Sequence, residues 1–345
     1  MSRPPTSPAP RRGRLTRPLT LTAALLAAVV ATLTTGCSTG AGTASSGRTT
    51  VTLATSDHLG GAPVHLAQER GLWADENVAA RITTLSTGRD ALNAVLGGQA
   101  QLGVVGDLPA VTAALGGREV RIVAELSQFS DWRLLTRSDR GITGPAALKD
   151  HKVGVPQGTN VEYALSRMLG SAGLTAADVT VVNLAPNQVP AALSRGDVDA
   201  GVTFPSFYEA ARTALGDRYA EVPFTGYTAR TLLVAGPAAD DAATTAVLRT
   251  LLRAQRELAA DPAGAQRAVV AQSSGALQPA YVAAFQPRYT YGASLSDALL
   301  DQLAEEAAWA KAAQKLPGSA DRSALRTFVN PTPLTTADRA AVTLH

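Results

Sequence analysis

Gln101-Leu102-Gly103-Val104-Val105-Gly106-Asp107-Leu108-Pro109 begins as a short apolar strand and breaks at a Gly-Asp turn; Ala110–Leu115 then reads as a helix stopped by Gly116-Gly117. The same unit occurs upstream. Val51, Leu53 and Ala54 make a strand that ends in Ser56-Asp57-His58, before a helix over Pro63–Gly71. Arg81–Leu85 makes a second strand, ending at Ser86–Gly88, before a helix over Asp90–Gly97. Val120–Leu126 is a fourth strand. Strands that alternate with helices of this length build βαβ units and a mostly parallel sheet.

Downstream the pattern restarts. Trp132–Thr136 is extended, Lys152–Val155 is a strand, Pro156–Asn160 a turn and Val161–Ala172 an amphipathic helix. Strands at Val179–Leu184 and Ala200–Val202 alternate with helices at Gln188–Arg195 and Pro205–Leu215. Arg230–Ala235 reads as a strand returning to the first lobe, and the remainder reads as helical. Segments at about 132–140 and 226–236 therefore join two lobes, residues 49–135 with 231–345 and residues 136–230. A chain that leaves one lobe, builds another and returns has a natural hinge. Loops at the carboxyl ends of parallel strands would line the cleft between them.

The chain has 345 residues, 46% hydrophobic and 17% charged, which suits two domains with sizeable cores. Lys+Arg total 31 against 28 Asp+Glu. Five of those arginines (Arg3, Arg11, Arg12, Arg14, Arg17) lie near the start, and no acid precedes Asp57, so acids slightly outnumber bases in the rest. No basic stripe of the kind that tracks a phosphate backbone is present, which argues against a nucleic-acid partner.

Residues 1–36 read as a signal peptide: Arg11–Arg17 is positive, Leu19 to Leu33 is apolar, and small residues follow. The apolar run falls short of the roughly 20 residues needed for a span. Cys37 is the only cysteine, so no intrachain disulfide forms. Its setting after Thr34-Thr35-Gly36 resembles a bacterial lipobox and implies a lipidated Cys37. Residues 37–48 then read as a flexible tether. Arg11-Arg12 leaves both general secretory and twin-arginine export open.

Four segments carry a family resemblance. Pro63-Val64-His65-Leu66-Ala67-Gln68-Glu69-Arg70-Gly71-Leu72-Trp73 has the form P-x-x-L-A-x-E-x-G-L-W, and Gly103–Ala110 forms a third strand and its turn. Leu148–Thr159 enters the second lobe, and Ala191–Ala200 contains A-L-x-x-G-x-V-D-A. In this order, over about residues 49–315, they resemble the periplasmic substrate-binding proteins of the aliphatic sulfonate, nitrate and taurine class. Asp150 departs from the pattern, which usually has Gly there. The resemblance implies an α/β, two-lobed periplasmic binding protein type II fold, each lobe a mostly parallel sheet flanked by helices. It further implies a monomer that hands a small anion or zwitterion to an ABC permease and its ATPase, with no cofactor.

The expected ligand contacts are the loops after the strands. Gly158, Thr159 and Asn160 precede a helix whose free N–H groups suit an anion, although Thr159 or Asn160 could equally cap that helix. Ser56, Asp57 and His58 follow the first strand; Gly106, Asp107 and Leu108 follow the third, where Asp107 could instead cap. Phe129, Asp131 and Trp132 lie at the first crossing, and Trp132 suits either a cleft wall or a hinge core. Phe204 and Ser206 follow Val202. Glu162 is either a dipole-favoured first-turn acid or, with Asp131 or Asp57, a partner for an ammonium group.

An enzyme of thiamin-precursor or menaquinone type on the same fold is the main competitor, and a ligand-sensing lipoprotein is another. The body offers His58, His65 and His151 but no cysteine, no H-x-x-x-H, no P-loop and no G-x-G-x-x-G, so neither a catalytic residue nor a metal site is assigned.

Overall fold

The computed structural model describes residues 47–345. The expected signal peptide, Cys37 and the tether as far as residue 46 lie outside the described residues. Thr49 and Thr50 already belong to the first strand.

The first lobe is built on a seven-stranded sheet. Its strands are β1 (Thr49–Ser56), β2 (Val78–Leu85), β3 (Leu102–Gly106), β4 (Arg121–Phe129), and, after the excursion into the second lobe, β10 (Ala229–Ala235), β11 (Tyr289–Ser296) and β12 (Val342–Thr343), in the order β12-β11-β4-β10-β3-β1-β2. The second lobe holds β5 (Trp132–Arg137), β6 (Lys152–Val155), β7 (Thr180–Asn183), β8 (Ala200–Gly201) and β9 (Tyr219–Phe224), in the order β7-β6-β8-β5-β9. Helices α1 (Ala62–Glu69), α2 (Gly88–Leu96) and α3 (Asp107–Leu115) follow the first three strands; α4 (Asn160–Ser171), α5 (Val189–Arg195) and α6 (Tyr208–Leu215) serve the second lobe. The chain then returns to the first lobe for α7 (Asp241–Ala260), α8 (Pro262–Gln272), α9 (Pro279–Phe285), α10 (Asp297–Gln314), α11 (Arg322–Arg326) and α12 (Thr332–Ala337).

Each sheet is mixed. β1 pairs in parallel with β2 and β3, and β6 with β7 and β8, as βαβ connections require. The strands that carry the chain between lobes, β4, β5, β9 and β10, pair antiparallel with their neighbours. The first crossing falls at Ser130-Asp131, because Trp132 already pairs with Phe224 in the second sheet; this is earlier than the boundary after residue 135 read from the sequence. The return runs between Phe224 and Ala229, which pairs with Phe129. Two short antiparallel passages therefore lie side by side between the lobes.

Local chemistry explains most of the boundaries. Val51, Leu53, Ala54, Val104, Val105 and Leu232–Val234 are buried, because these interior strands carry α2 and α3 packed against the sheet. Asp240 accepts from Ala243 N–H at 2.8 Å and starts α7, a cap worth about 1 kcal/mol. Val247, Leu248, Leu251, Ala254 and Leu258 form the buried stripe of that helix. Asp150 has φ +63, so the acid that departs from the family pattern occupies a left-handed position that favours glycine.

Candidate functional site

Six strands, four from the first sheet and two from the second, end at the interlobe cleft. His58 follows β1, Gly88 and Arg89 follow β2, Gly106 ends β3 and Phe129 ends β4; Thr159 and Asn160 follow β6, and Phe204–Ser206 follow β8. All these residues line one central cavity of about 40 Å³, together with Trp132, Tyr281 and Tyr289. A water needs about 10–15 Å³ by this measure, so the cavity holds a group of a few heavy atoms. A chamber of about 380 Å³ adjoins it, sharing His58, Phe204 and Ser206 and adding Ser56, Asp57, Leu85 and Pro186. A second chamber, of about 510 Å³, shares Arg89 and Pro109 and adds Gly158 and Arg118.

The central lining has a definite polarity. Among the described residues, Arg89 is its only permanently charged side chain and no carboxylate lines it. His58 Nδ1 accepts from Gly61 N–H at 3.0 Å, and burial lowers the pKa of the ring. The neutral imidazole therefore carries its proton on Nε2, as a donor. The indole N–H of Trp132, a residue only 1% exposed, has no partner among the described residues. A buried N–H left unpaired costs about 1–3 kcal/mol, which an acceptor in the cavity would offset. Gly60 also lines the space, and a Cβ there would collide with the Thr231 hydroxyl.

Aromatic packing ties this wall to the crossings. Phe129 stacks on Tyr289 (centroids 4.6 Å apart) and meets Trp132 edge-on at 5.4 Å; Trp132 in turn stacks over Tyr227 of the return segment at 5.9 Å. Trp132 thus both lines the central cavity and packs among the aromatic residues of the crossings.

The other expected residues divide. Thr159 reaches the cavity, but its hydroxyl is engaged: it accepts from Val161 N–H at 3.2 Å and donates to the Pro156 carbonyl at 2.8 Å. Asn160 packs against Gly106 across the cleft. Ser56 and Asp57 line only the adjoining chamber, where burial raises the pKa of Asp57.

Besides Ser56 and Asp57, five further expected contacts do not line the central cavity. Asp107 is fully buried and accepts from Tyr227 O–H (2.8 Å), Arg230 N–H (2.7 Å), Leu108 N–H (3.0 Å) and Gln302 Nε2–H (3.1 Å), so it anchors the return segment. Leu108 is core, because α3 already begins at Asp107. Asp131 pairs with Arg288, and with Arg133 at 3.7 Å. Glu162 accepts from Gly158 N–H at 2.7 Å, a local first-turn role, and Gly158 itself (φ +74) faces the second chamber.

Sequence reasoning missed Arg89, Tyr281 and Tyr289. Arg89 stands directly behind the Ser86–Gly88 turn, where the position of the loop after a strand was the available signal. The two tyrosines come from the last third of the chain and carry no local signal. Among the described residues, no group of three or more His, Cys, Asp or Glu could hold a metal ion.

The NMT1/THI5-like family profile matches residues 59–265. A Brucella abortus protein named as a binding protein is 29% identical over 151 residues, 44% of this chain and 46% of its own length. An Escherichia coli protein named as an aliphatic sulfonates-binding protein is 32% identical over 125 residues, 36% of this chain and 39% of its own. The chain thus matches less than half the length of these relatives. Among solved structures, the alkanesulfonate-binding protein SsuA from Xanthomonas axonopodis pv. citri bound to MOPS superposes with a TM-score of 0.68 at 21% identity, covering 82% of this chain and 98% of that one. The periplasmic aliphatic sulphonate-binding protein SsuA from E. coli gives 0.66 at 18% identity, covering 80% and 91%. The desulfurization enzyme DSZB shares the fold as well, at a TM-score of 0.62 and 14% identity, covering 85% and 99%. The fold is therefore the two-lobed fold of periplasmic binding proteins, and the chain belongs to the NMT1/THI5-like family.

Proposed function

We propose that this protein is an extracytoplasmic solute-binding lipoprotein, held to the membrane by a lipidated Cys37, that delivers a small sulfonate to an ABC permease and its ATPase. One observation carries the reading. Among the described residues, a cavity walled by both lobes is lined by a single permanently charged side chain, Arg89, by no carboxylate, and by uncharged side chains that can donate, among them Trp132, His58, Asn160 and Ser206. Such a lining favours a compact oxyanion. The names of the E. coli relative and of the SsuA structures support a sulfonate within that class.

The likeness to DSZB raises catalysis as a second reading. The single cysteine of the chain is Cys37, so the cavity offers no thiol nucleophile, and binding is the better reading. Isothermal titration of the purified protein against ethanesulfonate, taurine, nitrate and a simple alkylamine tests the proposal. Ethanesulfonate or taurine is expected to bind and the alkylamine not; an exclusive preference for the amine sinks it.

A further inference from the structure

Arg89 occupies an unfavourable place. It is the second residue of α2, where the positive end of the helix dipole disfavours a cation. The carboxylate of the neighbouring Asp90 accepts from the Thr87 hydroxyl at 2.8 Å rather than from Arg89. Arg89 forms no ion pair among the described residues. Its Nη1 instead reaches across the cleft and donates to the backbone carbonyl of Gln157 at 2.8 Å.

That contact stands alone. Among the described residues it is the only hydrogen bond or ion pair joining residues 49–129 or 229–345 to residues 132–224. The remaining polar links between the lobes run through the crossing residues, as in Asp131 with Arg288 or Tyr227 with Asp107. Gly158, beside Gln157, makes the approach feasible: a Cβ there would lie 2.7 Å from Arg89 Nη1, and its φ of +74 suits glycine. A guanidinium has five N–H donors, and one carbonyl leaves most of the fork free for a second, anionic acceptor.

We propose that Arg89 couples recognition of the ligand's negative charge to closure of the cleft, one arm of its guanidinium holding the Gln157 carbonyl while the other meets an oxyanion in the central cavity. The inference rests on the binding function proposed above. Arg89 thereby determines specificity for charge and also clasps the lobes, so removing it loosens the complex twice over: the anion loses its counter-charge, and the lobes lose the one polar contact that joins them outside the crossing residues.

The test measures ethanesulfonate affinity by titration calorimetry and the lobe-to-lobe distance by energy transfer between one dye on each lobe. It uses wild-type protein, Arg89→Gln, Arg89→Lys and Gly158→Ala. Arg89→Gln is expected to bind about 10–100-fold more weakly, the range for a lost charge-assisted hydrogen bond, and to lose the ligand-induced shortening. Arg89→Lys keeps the charge without the fork and should regain part of the affinity with little shortening. Gly158→Ala displaces the guanidinium from the second lobe while keeping its charge and should reduce the shortening as well. Wild-type affinity and full shortening in Arg89→Gln overturn the role of Arg89 while leaving the binding function intact. Failure of the wild type to bind any sulfonate overturns the function, and the role of Arg89 with it.

Discussion

The phenolic hydroxyl of Tyr227 donates to the fully buried carboxylate of Asp107 at 2.8 Å, joining the return crossing to the first turn of α3. A residue expected to touch ligand thus holds the return crossing against the first turn of α3. Tyr227→Phe removes one of four donors from a buried carboxyl group and should lower stability by about 1–3 kcal/mol. Asp107→Ala leaves several buried donors unpaired at once and should cost more, about 3 kcal/mol or above. Urea denaturation measures both; a Tyr227→Phe variant as stable as wild type would show that this anchor carries no weight.

A pH effect follows from the same cluster. Glu306 of α10 is fully buried and faces Asp107; burial first, and then the neighbouring negative charge, push its pKa well above the ordinary carboxylate value. The folded protein keeps a proton there that the unfolded chain releases above about pH 4.5. The stability due to this proton is therefore fully present below that pH and declines as pH rises toward the folded value. Glu306→Gln keeps the shape, removes the titration and should flatten the decline, so that the variant gains on wild type between pH 5 and pH 8. Urea midpoints at the two pH values decide; parallel declines in both proteins refute the assignment.

The indole N–H of Trp132 yields a ligand-dependent expectation. Trp132→Phe retains an aromatic ring against Phe129 and Tyr227 but loses the unpartnered donor. The smaller ring leaves a void that costs about 1–2 kcal/mol of stability. Sulfonate affinity should fall about tenfold, by the loss of one hydrogen bond to a charged acceptor. Calorimetry on the variant, well below its melting temperature, separates the two effects. Unchanged affinity means that the indole N–H does not reach the ligand.

The parts of this design that could be read from the chain were local ones. β1, β3 and β6 are apolar runs closed by Gly, Pro or Asp, and the loops behind them carry His58, Gly106, Thr159 and Asn160 to the cavity. β9 escaped notice because Glu221 and Pro223 interrupt it. It tolerates both as an edge strand paired only with β5. β11, Tyr-Thr-Tyr-Gly-Ala-Ser-Leu-Ser, lacks an apolar run and is a strand because β4 receives it. Distant partners also decide individual roles. A turn aspartate can cap a helix, bind a ligand or anchor a hinge, and only the arrival of Tyr227, Arg230 and Gln302 assigns Asp107 to the last.

Asp131 provides a contrast with Arg89. Its carboxylate pairs with Arg288 on the first lobe and Arg133 on the second, and it does not line the central cavity. Partly exposed ion pairs contribute little, so Asp131→Asn should cost no more than about 1 kcal/mol in stability. Sulfonate affinity should stay within about threefold of wild type, whereas a direct contact with an ammonium on the ligand would give a larger loss. Denaturation and calorimetry on the one variant distinguish these outcomes.

Asp150 allows a gain rather than a loss. Its φ of +63 places an exposed L-residue in the left-handed region, and its N–H donates to the Asp178 carbonyl at 2.8 Å. That bond survives any substitution that keeps the backbone donor. Glycine removes the Cβ strain but raises the entropy of the unfolded chain, and at left-handed positions the strain relief is the larger effect. Asp150→Gly should therefore stabilise the protein by about 0.5–1 kcal/mol, a rise of a few degrees at most for a chain this long. Sulfonate binding should be unaffected, since the turn is remote from the residues that line the cavity. Thermal unfolding of the two proteins side by side is the measurement, and a lower midpoint for Asp150→Gly would mean that the aspartate side chain stabilises this turn by more than its backbone strain costs.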